Sequence, residues 1–253
     1  MIKFTDVSMT YDGGKSFAVR NLNLSIADQE FIVLLGSSGS GKSTTLKMIN
    51  RLNDHTSGTI EIDGKDVRKL EVVELRRSIG YVIQGIGLFP HMTITDNVAI
   101  VPKLLGWSKE RRLERARELL ELVGLPSAQF GERLPEQLSG GQQQRVGVAR
   151  ALAADPKFIL MDEPFGALDA VIRDRLQQEL LALQRKIGKT FVFVTHDLFE
   201  ALTLGDRIAI FHEGTMQQVG KASEVMKAPA TQFVRDLFAR PAQQLRDFQG
   251  MLA

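Results

Sequence analysis

Cysteine is absent from the 253 residues of this chain. That excludes disulfides, thiolate metal sites and cysteine nucleophiles, and a chain indifferent to redox state fits a cytosolic setting. Long apolar runs are missing too. The longest, Phe31 to Leu35, has five residues, against the roughly 20 that a membrane-spanning helix needs. The opening Met1-Ile2-Lys3-Phe4-Thr5-Asp6 lacks the apolar stretch of a signal peptide. A soluble protein is expected, one that would work at a membrane only through a partner. Charge of one sign is also lacking: 32 Lys and Arg against 30 Asp and Glu leave +2, too little for nucleic-acid binding by bulk charge. Neither a fixed-period repeat nor a low-complexity tract is present.

What is there is ordinary globular material, 43% hydrophobic and 25% charged, enough for one large domain or two joined lobes. Ile2, Phe4 and Val7, then Ala18-Val19, then Leu22, Leu24 and Ile26 have strand-like spacing, broken by Asp12-Gly13-Gly14. Phe31 to Leu35 reads as a strand buried on both faces. Further strands are expected at Thr59 to Ile62, Ile79 to Ile83, Phe158 to Met161, Phe191 to Val194 and Arg207 to Phe211. Helix-like stretches at Val171 to Lys186 and Leu198 to Leu204 alternate with the last three, which indicates a parallel α/β sheet. From about Thr95 to Ala154 the pattern is almost all helical, punctuated by Pro126 and Pro135. Within it Leu113, Ala116, Leu120 and Val123 form one face of the charged segment Lys109 to Glu121. A helical lobe inserted into an α/β lobe follows, with two short helices after Gly220 and a polar tail at 241–253.

Gly36-Ser37-Ser38-Gly39-Ser40-Gly41-Lys42-Ser43-Thr44 follows the buried strand and precedes Leu46, Ile49 and Leu52 at helical spacing. It has the form of a phosphate-binding loop. Glycines let backbone N–H groups turn inward around phosphate oxygens, and a helix N-terminus adds partial positive charge. Lys42 would reach the β- and γ-phosphates and the Ser43 hydroxyl would ligate Mg²⁺. Phe158-Ile159-Leu160-Met161-Asp162-Glu163 puts Asp162 at the carboxyl end of a strand, where open α/β sheets gather ligands. Asp162 can hold Mg²⁺, through water, and Glu163 can polarise an attacking water as general base. Taken alone, a strand ending in Asp-Glu is more often a plain strand end; the phosphate loop reverses that preference. Together these elements define a nucleotide triphosphatase.

Leu138-Ser139-Gly140-Gly141-Gln142, ahead of the helix-like Val146 to Ala154, is a second phosphate-facing helix start. With the two motifs before it, this stretch resembles the signature of the ATP-binding-cassette (ABC) ATPases. The resemblance implies an α/β fold with a P-loop NTPase (RecA-like) core, an N-terminal antiparallel β portion and an inserted helical subdomain. The expected division is one ATPase domain over 1–240, with α/β core 1–84 and 156–220, helical subdomain about 85–155 and short helices in 221–240. It also implies roles. Gln84 corresponds to the glutamine that senses Mg²⁺ or water and joins the lobes, Ala167-Leu168-Asp169 to the loop that communicates across a dimer, and His196 to the histidine at the γ-phosphate. Tyr11 stands where the family stacks a ring on adenine. His55, His91 and His212 are left as loop or surface residues.

The family resemblance further implies a head-to-tail dimer of two copies with two ATP molecules between them. Each site would take Gly36 to Thr44, Gln84, Asp162, Glu163 and His196 from one chain and Ser139 to Gln142 from the other. A narrower likeness lies in Gly85-Ile86-Gly87-Leu88-Phe89-Pro90-His91-Met92-Thr93 and in Thr44 to Leu52, which resemble the cassettes of osmoprotectant importers for glycine betaine, choline and carnitine. It implies integral membrane permease subunits as partners, a solute-binding protein indirectly, no nucleic acid, and a place on the cytoplasmic face of the cell membrane. Leu88, Phe89 and Met92 would suit an apolar partner surface, or would pack in the helical lobe. Gly85 departs from the larger polar residue of many relatives, and the chain ends at Ala253 where many continue into regulatory domains. Import of amino acids or polyamines, and a soluble ABC ATPase, stay open as alternatives.

Overall fold

The computed structural model describes residues 1–85, 87–166 and 168–239. Ile86, Ala167, residue 240 and the tail at 241–253 lie outside the described residues. Two sheets are stacked. The first joins β1 (Ile2–Met9), β2 (Val19–Ile26), β4 (Ser57–Ile62) and the short β5 (Lys65–Asp66) in the antiparallel order β2-β1-β4-β5. Alternation sets its inner face: Ile2 lies between Ile26 and Ile62, and Phe4 between Leu24 and Ile60, all buried except the half-buried Ile62.

The second sheet contains β3 (Phe31–Gly36), β6 (Ile79–Val82), β7 (Phe158–Asp162), β8 (Thr190–Thr195), β9 (Arg207–His212) and β10 (Thr215–Gly220) in the order β10-β9-β3-β8-β7-β6. Its pairings are parallel except for β10 on β9. Ile32, Leu34, Leu160 and Val192 face the antiparallel sheet and helix α1 (Lys42–Ile49), while Phe31, Val33, Ile159, Met161 and Phe191 face helices. Burial on both faces is why the strand at Phe31 carries no polar alternation.

Helix α2 (Val72–Arg77) precedes β6. Between β6 and β7 the described residues form helices and no strand: α3 (Ile94–Leu104), α4 (Lys109–Leu122), α5 (Ser127–Phe130) and α6 (Gly140–Leu152). Thr93, Ser108 and Ser139 cap α3, α4 and α6 through their side chains. In α4 the buried residues are Ala116, Leu119 and Leu120, with Leu113 and Val123 half-buried, so the face is centred near the predicted one. Then α7 (Ala170–Ile187) joins β7 to β8 and α8 (Leu198–Leu204) joins β8 to β9. Helix α9 (Ala222–Lys227) and helical residues 232–239 follow β10.

Sequence patterning misses β5, β10 and α2. The first is a two-residue pairing, β10 is a half-buried edge strand of mixed polarity, and α2 buries only Leu75. Of the histidines expected in loops or at the surface, His55 lies in a loop, though 3% exposed, whereas His212 ends β9 with its ring stacked 3.9 Å from that of Phe233. Burial holds the His55 imidazole below its ordinary pKa, and nearby Arg68 adds to this.

Aromatic rings occupy the middle of the helix-facing layer. Phe191 stacks on Phe31 at 5.3 Å between centroids, and Phe193 lies 5.9 Å from Phe31 and 5.6 Å from Phe165. Phe191→Ala is expected to cost about 3–5 kcal/mol and Phe191→Leu less, read from denaturant unfolding midpoints. An unchanged midpoint in the alanine variant would remove this stack from the list of stabilising contacts.

Candidate functional site

Parallel register brings the predicted residues to one edge. Leu35 pairs with Thr195, Asp162 with Val194 and Val82 with Met161, so β3, β8, β7 and β6 end at one level. The segments leaving those ends carry Ser37 to Lys42, His196, Glu163 and Gln84. They line a cleft of about 770 Å³ with Ser43, Thr44, Tyr11 and Ala18, at the carboxyl end of the sheet where such folds bind ligands.

Two glycines set the loop. A Cβ at Gly36 would stand 2.3 Å from the Phe211 carbonyl oxygen, and one at Gly41 2.3 Å from that of Ala18. Gly41 also has φ +99°, which side-chain-bearing residues rarely adopt. No side chain caps α1, so its first-turn N–H groups are left for whatever fills the cleft. Lys42, 4% exposed, folds back and donates from Nζ to the carbonyls of Gly36 and Ser37, both at 2.8 Å. Burial pulls its pKa below the ordinary lysine value, opposed by the charges of Glu163 and Asp162. An ammonium held only by two carbonyls in a buried place suits an anionic ligand.

The Ser43 hydroxyl donates to Asp162 Oδ1 at 2.6 Å, and Lys47 Nζ lies 3.8 Å from Oδ2. A hydroxyl beside a carboxylate that is 1% exposed is the hard-oxygen pair suited to Mg²⁺. Glu163 has φ +45°, a strained value for a residue with a side chain, and its N–H donates to the Val194 carbonyl at 3.1 Å. Gln84 Nε2 donates to Glu163 Oε2 at 3.4 Å, and His196 Nδ1 lies 3.4 Å from the same oxygen. The amide of one loop and the imidazole of another thus meet on one carboxylate.

Tyr11 is two-thirds exposed at the mouth. Its hydroxyl lies 3.3 Å from Thr44 Oγ1 and accepts from Asn53 Nδ2 at 2.8 Å. Asn53 and Lys47 were not predicted for the site; polar residues in a helix and its following turn carry no motif. Ser139 to Gln142 do not line this cleft. They form a capping box at the start of α6, with Gln142 N–H donating to Ser139 Oγ at 3.3 Å and Ser139 N–H to Gln142 Oε1 at 2.9 Å. Ser139 and Gly140 are exposed. In the segment after Gln84, Phe89 is exposed, Leu88 packs on the core and Met92 is half-buried. Fully buried Asn97, also unpredicted, holds that segment through the carbonyls of Phe89, Met92 and Thr93. A separate cleft of about 420 Å³ between α4, α6 and α7 has Val148, Leu176, Leu180 and Leu183 on its walls and none of the predicted residues.

A family model described as ABC transporter matches residues 19–166. Among curated proteins, the glycine betaine/carnitine/choline transport ATP-binding protein OpuCA of Bacillus subtilis is 56% identical over 95% of this chain and 63% of its own length. The glycine betaine uptake system ATP-binding protein YehX of Escherichia coli is 53% identical over 95% of this chain and 77% of its own length. The chain spans about three fifths of the length of the first such relatives. Among solved structures, the dimeric ATP-binding cassette MJ0796 bound to ADP and Pi superimposes with a TM-score of 0.77 at 40% identity, covering 87% of this chain and 98% of that one. On the family match, on these relatives and on a fold shared with a solved cassette, this chain belongs to the ABC transporter family.

Proposed function

We propose that this chain is the ATP-hydrolysing motor of an ABC importer that takes up an osmoprotectant quaternary amine such as glycine betaine, choline or carnitine. The observation that carries the reading is the meeting of Gln84 and His196 on Glu163 Oε2, in the same cleft as Lys42 and the uncapped start of α1. The solute class rests on the relatives, named for glycine betaine, carnitine and choline.

In this reading the adenine stacks on Tyr11, and the N–H groups of Ser37 to Thr44 surround the phosphates. Lys42 leaves the carbonyls of Gly36 and Ser37 for the β- and γ-phosphates, a larger gain than two neutral acceptors offer. Ser43, Asp162 through water, and Gln84 would hold Mg²⁺, which when bound neutralises charge on the β- and γ-phosphates. Glu163 orients a water in line with the γ-phosphorus and accepts its proton as the water oxygen bonds to phosphorus and the bond to the ADP oxygen breaks. Gln84 and His196 hold the Glu163 carboxylate in place, and His196 contacts the γ-phosphate. Protein groups contribute position and charge, with no covalent intermediate.

Ser139 to Gln142 act on the cleft of a second copy, a role that fits their place outside their own cleft and the exposure of Ser139 and Gly140. The likeness to a dimeric cassette supports this arrangement. Permease subunits dock near exposed Phe89, which holds the chain at the cytoplasmic face of the membrane, and a solute-binding protein delivers the cargo. The helical residues between Gly85 and Asp155 form a subdomain of the ATPase.

Glu163→Gln should lower ATP turnover by about 10²–10⁴-fold and accumulate as an ATP-held dimer on size-exclusion chromatography; normal turnover would remove Glu163 from the role. Lys42→Ala should weaken nucleotide binding by roughly tenfold or more, measured by calorimetry, and equal affinity would count against the phosphate-loop assignment. Cells with other betaine importers deleted should take up labelled glycine betaine with the intact gene and not with Glu163→Gln. Equal uptake in both would leave the ATPase standing and sink the betaine assignment.

A further inference from the structure

His196 is held by little of its own. Its side chain is 60% exposed and the carboxylate of Glu163 is the group it meets. What positions the ring is therefore the backbone on either side, Thr195 and Asp197, and both are tied down. Thr195 Oγ1 donates to Glu200 Oε2 at 2.5 Å and accepts from Asp197 N–H at 3.0 Å. Asp197 Oδ1 accepts from the N–H groups of Phe199 and Glu200, at 2.8 and 3.3 Å, capping α8.

One side chain from another element joins this turn. Arg173, in the first turn of α7, points NH1 at Asp197 Oδ2, 3.2 Å away, and Nε at Glu200 Oε1, 3.7 Å away. Its NH2 donates to the Leu168 carbonyl at 3.0 Å. Leu168 and Ile172 in turn lie against the start of α6. A Cβ built at Gly140 would stand 3.4 Å from Leu168 Cδ2, and one at Gly141 2.9 Å from Ile172 Cγ2. A planar guanidinium thus fastens the His196 turn to the segment on which Ser139 to Gln142 are mounted.

We infer that Arg173 is a positioning residue for hydrolysis, acting through His196. The inference rests on the reading of the cleft above. It adds a consequence for the dimer: His196 serves the chain's own cleft while Ser139 to Gln142 serve the partner's, so Arg173 ties a group of one nucleotide site to a group of the other. Asp197 and Glu200 give the guanidinium two carboxylates, of which Glu200 is 5% exposed, and a lysine has one point charge with which to reach these anchors.

The test is a double-mutant cycle on the full chain, Arg173→Ala against His196→Ala, reading steady-state ATP turnover and nucleotide affinity. Arg173→Ala should lower kcat by roughly ten- to a hundredfold with nucleotide affinity unchanged. In the His196→Ala background it should add little further loss, because groups acting as one unit are not additive. Arg173→Lys should recover part of the rate. Asp197→Asn keeps the helix cap and removes the charge facing Arg173, so it should show a milder form of the same defect even where Arg173→Ala does not fold. Losses that multiply, or an Arg173→Ala enzyme at full rate beside an impaired His196→Ala, would overturn this inference alone. Full turnover in His196→Ala would overturn the reading of the cleft and this inference with it.

Discussion

Strand β8 lies between β3 and β7, hydrogen-bonded in parallel to both, and the arrangement of the cleft depends on that pairing. Parallel strands in this register end together, so the loops that leave them start from one line across the sheet. Asp162 sits level with Val194, and Leu35 with Thr195. A shift of one residue in β7 would turn Asp162 to the opposite face, away from Ser43. The hydrophobic layers above and below hold that register, since every strand residue from Phe31 to Leu35 and from Phe158 to Met161 is buried on one face or the other.

Within that frame the charges are arranged as unfinished pairs. Lys42 is buried with two carbonyls for company, Asp162 holds a hydroxyl and a distant lysine, and Glu163 is approached by an amide and an imidazole at 3.4 Å. The carbonyl contacts of Lys42 and the 3.4 Å approaches to Glu163 are weaker than those an added phosphate or water would make. The 2.6 Å bond from Ser43 to Asp162, by contrast, is already short and charge-assisted. The strained backbone at Glu163 fits this picture. Its N–H reaches across to the carbonyl of Val194, so the conformation that re-aims the carboxylate is held by the neighbouring strand.

The start of α6 follows different physics. Ser139 and Gln142 satisfy one another's backbone N–H groups in a capping box, so two donors of this helix start are already paired within the chain. Its glycines allow Leu168 and Ile172 to approach closely, and Ser139 and Gly140 stay exposed. Ser139 to Gln142 thus lie outside the cleft that Lys42, Glu163 and His196 line, beside the start of α7.

Local patterns made much of this legible in advance. The phosphate loop, the Asp162-Glu163 strand end and the Ser139–Gln142 helix start are short stretches whose conformation follows from glycine, capping and apolar runs, and each lies in the element the sequence indicates. Edge strand β10, the pairing of β5 and helix α2 were not legible, because their burial comes from neighbours and leaves no period of its own. Nor were Lys47, Asn53, Asn97 and Arg173, polar residues whose partners are distant in the chain. The sequence by itself determined most of the strands, the place of the glycine-rich loop between strand and helix, and which family the motifs resemble, since these depend on residues within a few positions of one another. Only the tertiary structure decided that Gln84 and His196 meet on one oxygen of Glu163 and that Arg173 joins the turn after β8 to the segment before α7. Those contacts are set by strand order and register, which no local pattern encodes.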